Sequence, residues 1–102
     1  MEKSDFFADA RSDLSGPLAG VRVIEATTTW AGPMAGCVLA DYGADVIKIE
    51  HPDGEVIRRL PPLIPDSTNT IANETVNRNK RNLSLELRSE EGRALFLDLC
   101  RT

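Results

Sequence analysis

Two features of the sequence are suited to binding an anionic ligand. The stretch Thr27–Gly32 leads into Gly-Pro, a favourable helix start, and a helix N-terminus offers free amide protons and the positive end of the helix dipole. Cations follow at Arg58 and Arg59, and residues 78–81, Arg-Asn-Lys-Arg, form a basic island. Most surface cations are simply solvated, so composition alone does not make any one of them a ligand contact.

Other kinds of chemistry are poorly supported. His51 is the only histidine, and no cysteine or second histidine stands at ligand spacing, which argues against a zinc site. Asp41 and Asp45 straddle Gly43, a helix breaker, so a catalytic carboxylate pair is not indicated. The sequence also has no G-x-S-x-G and no Walker A pattern, and therefore no hydrolase or P-loop motif.

The first half of the chain predicts a β-α-β unit. Residues 21–26 are rich in β-branched side chains and predict a strand. A helix should begin at Gly32-Pro33 and end at Gly43, with Met34, Val38 and Tyr42 forming one apolar stripe. Asp45–Glu50 predicts the second strand, which the Pro-Asp-Gly turn after His51 ends.

The second half predicts a long loop, a strand and a helix. Residues 55–75 contain three prolines and are expected to be loop. Leu83–Leu87 alternates as a strand does, and Ser89 is a suitable N-cap for a last helix. The residues expected on the buried face of that helix are Leu95, Phe96, Leu99 and Cys100.

This order of elements predicts an α/β fold in which a parallel sheet carries helices on its faces. Ligands of such sheets bind beyond the carboxyl ends of the strands. The Thr27–Gly32 stretch and the region of Arg58 and Arg59 fall at that edge, whereas the basic island precedes the third strand and is expected at the opposite edge.

Composition sets the class of protein. The chain has 102 residues, 41% hydrophobic and 27% charged, which suits one domain or part of one: a flexible N-terminal tail, residues 1–16, and a domain over residues 17–102. No run predicts a membrane span or a leader peptide, and we expect a cytoplasmic protein. A net charge of −4 argues against nucleic acid as a partner. Cys37 and Cys100 are expected to be buried, free thiols.

A dinucleotide site is a weaker alternative. Glu50 closes the second strand, where a carboxylate holds the ribose hydroxyls of NAD in a βαβ unit. The glycines do not fit, because Gly32 and Gly36 form G-x-x-x-G rather than G-x-G-x-x-G. Pro33 also lacks an amide proton where the pyrophosphate needs one.

Three blocks in order carry a family resemblance: Gly20–Glu25, Ala31–Pro33 and Leu39–Glu50, the last reading Leu-Ala-Asp-Tyr-Gly-Ala-Asp-Val-Ile-Lys-Ile-Glu. Asn79–Arg81 and Glu91–Arg93 follow in matching order. Together they resemble the N-terminal part of the family III CoA-transferases, of the CaiB/BaiF type, from about Pro17 to the last residue.

The resemblance implies a Rossmann-like CoA-binding segment within a larger fold of interlocked dimers. It implies transfer of CoA from an acyl-CoA to a carboxylic acid acceptor through an aspartyl intermediate. The matching aspartate lies beyond residue 102, so the chain is expected to be a truncated and inactive piece, with no metal and with coenzyme A as substrate. An acyl-CoA racemase of the same superfamily and a free-standing nucleotide-binding module remain alternatives.

The resemblance also implies a set of CoA contacts. Where the family often has an arginine after the second strand, this chain has His51, which is positively charged only when protonated. The implied contacts are Trp30, Ala31, His51, Leu85, Glu86, Leu87 and Arg88.

Overall fold

The computed structural model describes residues 13–102, which form a three-stranded parallel sheet with helices. The strands, in spatial order, are β1 (Arg22–Glu25), β2 (Asp45–Glu50) and β3 (Arg81–Ser84). The helices are α1 (Ala31–Asp41), α2 (Ile71–Asn77) and α3 (Glu90–Arg101), with a 3-10 helix at Val56–Arg59. The predicted parallel α/β fold is therefore confirmed. Most of the predicted tail, residues 1–12, lies outside the described residues.

The central strand β2 organises the sheet. All six of its residues are buried, and it has the predicted bounds. It pairs in parallel with both neighbours, so that Asp45 stands opposite Arg22 and Ile47 opposite Arg81. The carboxyl ends of the three strands consequently meet at one edge.

The third strand is shorter and earlier than the predicted Leu83–Leu87. It ends at Ser84, which pairs with Glu50, the last residue of β2. Leu85 still donates its amide to the Glu50 carbonyl at 2.9 Å, but β2 offers no strand partner beyond that point. The length of the neighbouring strand, rather than the apolar alternation, sets where β3 ends.

Helix α1 packs on the sheet through small residues, which corrects the predicted stripe. Val38 is 43% and Tyr42 55% exposed. The buried residues of the helix are Pro33, Gly36, Cys37 and Ala40. The helix ends as predicted, since Gly43 follows its last turn with a φ of 97°, a conformation that favours glycine.

The segment 55–75, predicted to be loop, contains the 3-10 helix Val56–Arg59 and the start of helix α2, which continues to Asn77. Thr70 starts it as an N-cap, with its hydroxyl accepting the Asn73 amide at 3.0 Å and donating to the Ile57 carbonyl at 2.6 Å. With only seven residues, α2 is too short to show the apolar period by which a helix is recognised, and the prolines before it indicate loop.

Helix α3 begins as predicted, because the Ser89 side chain accepts the Gly92 amide. Its predicted buried face is only partly correct: Leu95 is 57% exposed, Cys100 is exposed, and Phe96 and Leu99 are half-buried. A three-stranded sheet is too narrow to cover that face. Of the helices in residues 13–102, none has the length and apolar character to cross a membrane.

Candidate functional site

An open groove of about 200 Å³ lies beyond the carboxyl ends of the three strands. It is built from the end of β1, the end of β2 and the segment that follows β3. This is the edge at which open parallel sheets bind their ligands. The lining residues are Ala26, Thr27, Thr28, Ile49, Glu50, His51, Leu85, Glu86, Leu87 and Arg88.

Five of the seven residues implied by the resemblance line this groove together: His51 and the run Leu85–Arg88. Trp30 and Ala31 do not line it. Trp30 is the N-cap of α1 and is 47% exposed, and Ala31 is the exposed first residue of that helix. Their loop nevertheless contributes Thr27 and Thr28 to the groove.

Sequence reasoning missed Ala26 and Ile49 as lining residues and gave no separate role to Thr28. The signal was available, because each stands at or just after the carboxyl end of a predicted strand. In a parallel sheet those positions converge at one edge whatever their residue type.

His51 bridges two sides of the groove. Its Nε2 atom lies 2.9 Å from Oε2 of Glu86, and its Nδ1 atom accepts the Asp53 amide at 3.1 Å. With Nδ1 acting as an acceptor, the neutral ring carries its proton on Nε2 and donates it to Glu86. Despite these neighbouring carboxylates, residues 13–102 contain no group of three such side chains placed to hold a metal ion.

The segment after β3 is fixed by the start of α3. Ser89 donates its hydroxyl to the Glu86 carbonyl at 2.8 Å, and Gly92 lies so close that a Cβ there would stand 2.0 Å from that oxygen. The Arg88 amide donates to the Glu86 carboxylate at 2.9 Å. This bond is the main cause of a lowered pKa for Glu86, with His51 adding to it.

Glu50 lines the groove but is held by its own surroundings. Its carboxylate accepts both Nε and Nη2 of Arg58, the Glu55 amide at 2.6 Å and the Asn82 side chain at 2.5 Å. The Arg58 hydrogen bonds, aided by those of Glu55 and Asn82, lower its pKa to about 2. A carboxylate engaged in this way does not suit the ribose contact of the dinucleotide alternative, and Arg58 is equally committed.

The basic island serves the fold. Arg78 pairs with Asp41 at 2.6 Å, and Arg81 donates two hydrogen bonds to the Asp45 carboxylate at 2.9 and 2.6 Å. The carboxylates of Asp41 and Asp45 thus pair with different arginines.

Lys80 turns inward beneath α1. Its side chain is 2% exposed and its Nζ atom lies 2.5 Å from Glu25, which also receives Lys48 at 2.9 Å. Burial raises the pKa of Glu25, but the hydrogen bonds from the two lysines outweigh it, so that the pKa lies below its usual range. Gly36 makes room for this cluster, because a Cβ there would stand 2.0 Å from the Glu25 carboxylate.

The family profile of CoA-transferase family III matches residues 18–102 of the sequence. The chain belongs to CoA-transferase family III. The resemblance carried by the three sequence blocks is thereby confirmed, and the groove is a feature of a family III chain.

Two curated relatives illustrate the match. The succinyl-CoA:mesaconate CoA-transferase of Haloarcula hispanica is 42% identical over 87 residues, which cover 82% of this family III chain and 22% of the relative. The succinate–glutarate CoA-transferase of Agrobacterium fabrum is 46% identical over 92 residues, covering 84% and 23%. The chain thus spans less than a quarter of the length of these relatives.

Solved structures agree with the fold. A CaiB/BaiF family protein from Brucella suis superposes with a TM-score of 0.73 at 38% identity, over 79% of this chain and 22% of that one. A hypothetical protein from Mycobacterium tuberculosis gives a TM-score of 0.73 at 37% identity, over 85% and 23%. Both share the α/β fold of this chain, and the Brucella suis protein supports the CaiB/BaiF type.

Proposed function

We propose that this family III chain binds the CoA part of an acyl-CoA in the groove at the carboxyl edge of the sheet, and that the protein transfers CoA between carboxylic acids. One observation carries the proposal: five of the residues expected to contact CoA line a single groove. Relatives named for CoA transfer between succinate and a second acid support the reaction class.

The groove offers the two kinds of surface that CoA needs. Ile49, Leu85 and Leu87 supply apolar walls for the adenine and the pantetheine arm. Arg88, exposed at one end, is the cation for a phosphate, and His51 adds a second hydrogen-bond donor. Trp30 and Ala31, at the start of α1, are proposed to contact the ligand where it leaves the groove.

The proposed chemistry is covalent catalysis by an aspartate that is not among these 102 residues. That carboxylate attacks the thioester carbonyl, giving a mixed anhydride and free CoA; CoA then attacks the aspartyl carbonyl, releasing the donor acid and leaving an aspartyl thioester. The acceptor acid takes the CoA in the same two steps reversed. The chain alone is proposed to be inactive, and the whole protein to be a cytoplasmic homodimer.

A CoA-exchange assay on the gene product at its natural length tests this function. Succinyl-CoA and an isotopically labelled dicarboxylic acid should yield the labelled acyl-CoA, and substituting one aspartate outside this segment should abolish the exchange. Exchange that survives the loss of every such aspartate would contradict the aspartyl mechanism. Solvent deuterium entering the α-position of an acyl-CoA, without CoA transfer, would instead support the racemase.

A further inference from the structure

Thr29 adopts a backbone conformation that its residue type disfavours. Its φ is 68°, in the left-handed region, where a β-branched side chain is crowded by the backbone. It stands directly between Thr28, which lines the groove, and Trp30, the N-cap of α1. The conformation of this one residue therefore sets the direction in which the chain leaves the groove and enters the helix.

Glu55 holds Thr29 in that conformation. The Thr29 amide donates to Oε1 of Glu55, although 26 residues separate the two. Glu55 is itself fixed at both ends: its amide donates to Glu50 at 2.6 Å, and its carboxylate lies 3.3 Å from Nζ of Lys48. With a side chain only 5% exposed, it is a rigid acceptor rather than a solvated one.

Lys48 secures the same loop at a second point. Its Nζ atom donates to the Thr27 carbonyl at 3.1 Å and to Glu25 at 2.9 Å. The loop after β1 is thus held through the carbonyl of Thr27 and the amide of Thr29, on either side of the groove-lining Thr28. Both anchors end on one buried cluster of two lysines and two glutamates.

We infer that Glu55 is the positioning residue of the ligand-binding loop: by holding the Thr29 amide, it fixes Thr27 and Thr28 in the groove and aims the start of α1. The inference rests on the proposed CoA site. Glu55 acts through Thr29, since its Oε1 atom accepts the Thr29 amide, while its buried Oε2 atom makes no hydrogen bond and faces Nζ of Lys48 at 3.3 Å. A residue preorganised in this way lowers the ordering cost of ligand binding.

Calorimetric titration of CoA into the gene product at its natural length tests the role. Glu55→Ala should weaken binding by about tenfold, the worth of one charge-assisted hydrogen bond. Thr29→Gly in the Glu55→Ala background should recover part of that loss, because glycine adopts positive φ freely. Glu55→Gln keeps an acceptor oxygen, so its affinity for CoA should lie between those of the wild type and Glu55→Ala. The control is Glu74→Ala, which removes an exposed carboxylate outside the cluster and should bind CoA as the wild type does.

Wild-type affinity in Glu55→Ala, or a loss that Thr29→Gly leaves unchanged, would overturn the inference. If Glu55→Ala does not fold, the same comparison is made with Glu55→Gln alone and combined with Thr29→Gly. Hydrogen exchange of the Thr29 amide separates this claim from the site itself. If the wild type binds no CoA, the proposed function fails. Slow exchange of the Thr29 amide in the wild type and fast exchange in Glu55→Ala would still show that Glu55 holds that amide.

Discussion

The Nε2 atom of His51 lies 2.9 Å from Oε2 of Glu86, and this contact joins the loops that follow β2 and β3 across the mouth of the groove. Both side chains are more than a third exposed, at 44% and 38%. A hydrogen bond between two side chains as exposed as these adds little to stability, because water competes for both partners. A ligand phosphate can therefore replace Glu86 as the partner of His51 at little cost to the fold.

Arg88 is expected to matter for CoA affinity more than for stability. It is exposed at the groove and is the cation best placed for a phosphate. We predict that Arg88→Gln weakens CoA binding by about tenfold or more, the worth of one charge-assisted hydrogen bond, and leaves the melting temperature nearly unchanged. Calorimetry measures the affinity. Arg101→Gln, on the exposed last turn of α3, is the matched control, and an equal loss there would show a general charge effect.

Lys80 should be far more important for stability than its neighbour Arg78. Lys80→Met removes one partner from a buried ion pair and should lower the free energy of unfolding by about 3–5 kcal/mol. Arg78→Met removes an exposed partner, with a side chain that is 45% accessible, and should lower the free energy of unfolding far less, because water screens that pair. Urea denaturation measures both; similar losses would contradict the buried placement of Lys80.

Gly36→Ala should destabilise the protein, although helix propensity alone would favour alanine. Helix propensity alone favours alanine by about 1 kcal/mol in a helix interior. The new Cβ would stand 2.0 Å from the Glu25 carboxylate, which Lys48 and Lys80 both hold in place. We therefore expect a net destabilisation of about 1–3 kcal/mol, the usual cost of overpacking. A variant that melts at a higher temperature than the wild type would refute this packing of α1.

Glu50 should contribute to an acid-dependent loss of stability. Its pKa is about 2 in the folded protein, against an ordinary value of 4.5, so the unfolded chain takes up the proton first as the pH falls. The stabilisation is complete above about pH 4.5 and is lost toward pH 2. Because the Arg58 partner is 42% exposed, we expect on the order of 2 kcal/mol.

Glu50→Gln should accordingly flatten the acid limb of a plot of unfolding free energy against pH, while lowering stability at neutral pH. Glu90→Gln, in the exposed first turn of α3, is the control and should keep the wild-type slope. If Glu50→Gln keeps the full slope, the carboxylate is not held as described.

The bounds of β2, the end of α1 and the start of α3 could be predicted because local chemistry decides them. The β-branched run predicts β2. Gly43, which adopts a positive φ, predicts the end of α1, and Ser89, as an N-cap, predicts the start of α3. The parallel order then places the groove, since strand ends converge at one edge. These signals lie within a few residues of the features that they determine.

What could not be predicted depends on partners that are distant in sequence. The outward direction of Val38 and Tyr42 follows from the close approach of Gly36 to Glu25, which no helical period reveals. Lys80 resembles any surface lysine until β3 brings it beneath α1. Likewise, no pattern in the sequence links Glu55 to Thr29.

The measurement that tests the central claim most directly is a crystal structure of the gene product, at its natural length, with CoA bound. The proposed site predicts the ligand over Ile49, Leu85 and Leu87, with a phosphate oxygen in hydrogen-bond reach of Arg88 or His51. A CoA molecule bound elsewhere, touching none of these residues, would contradict it.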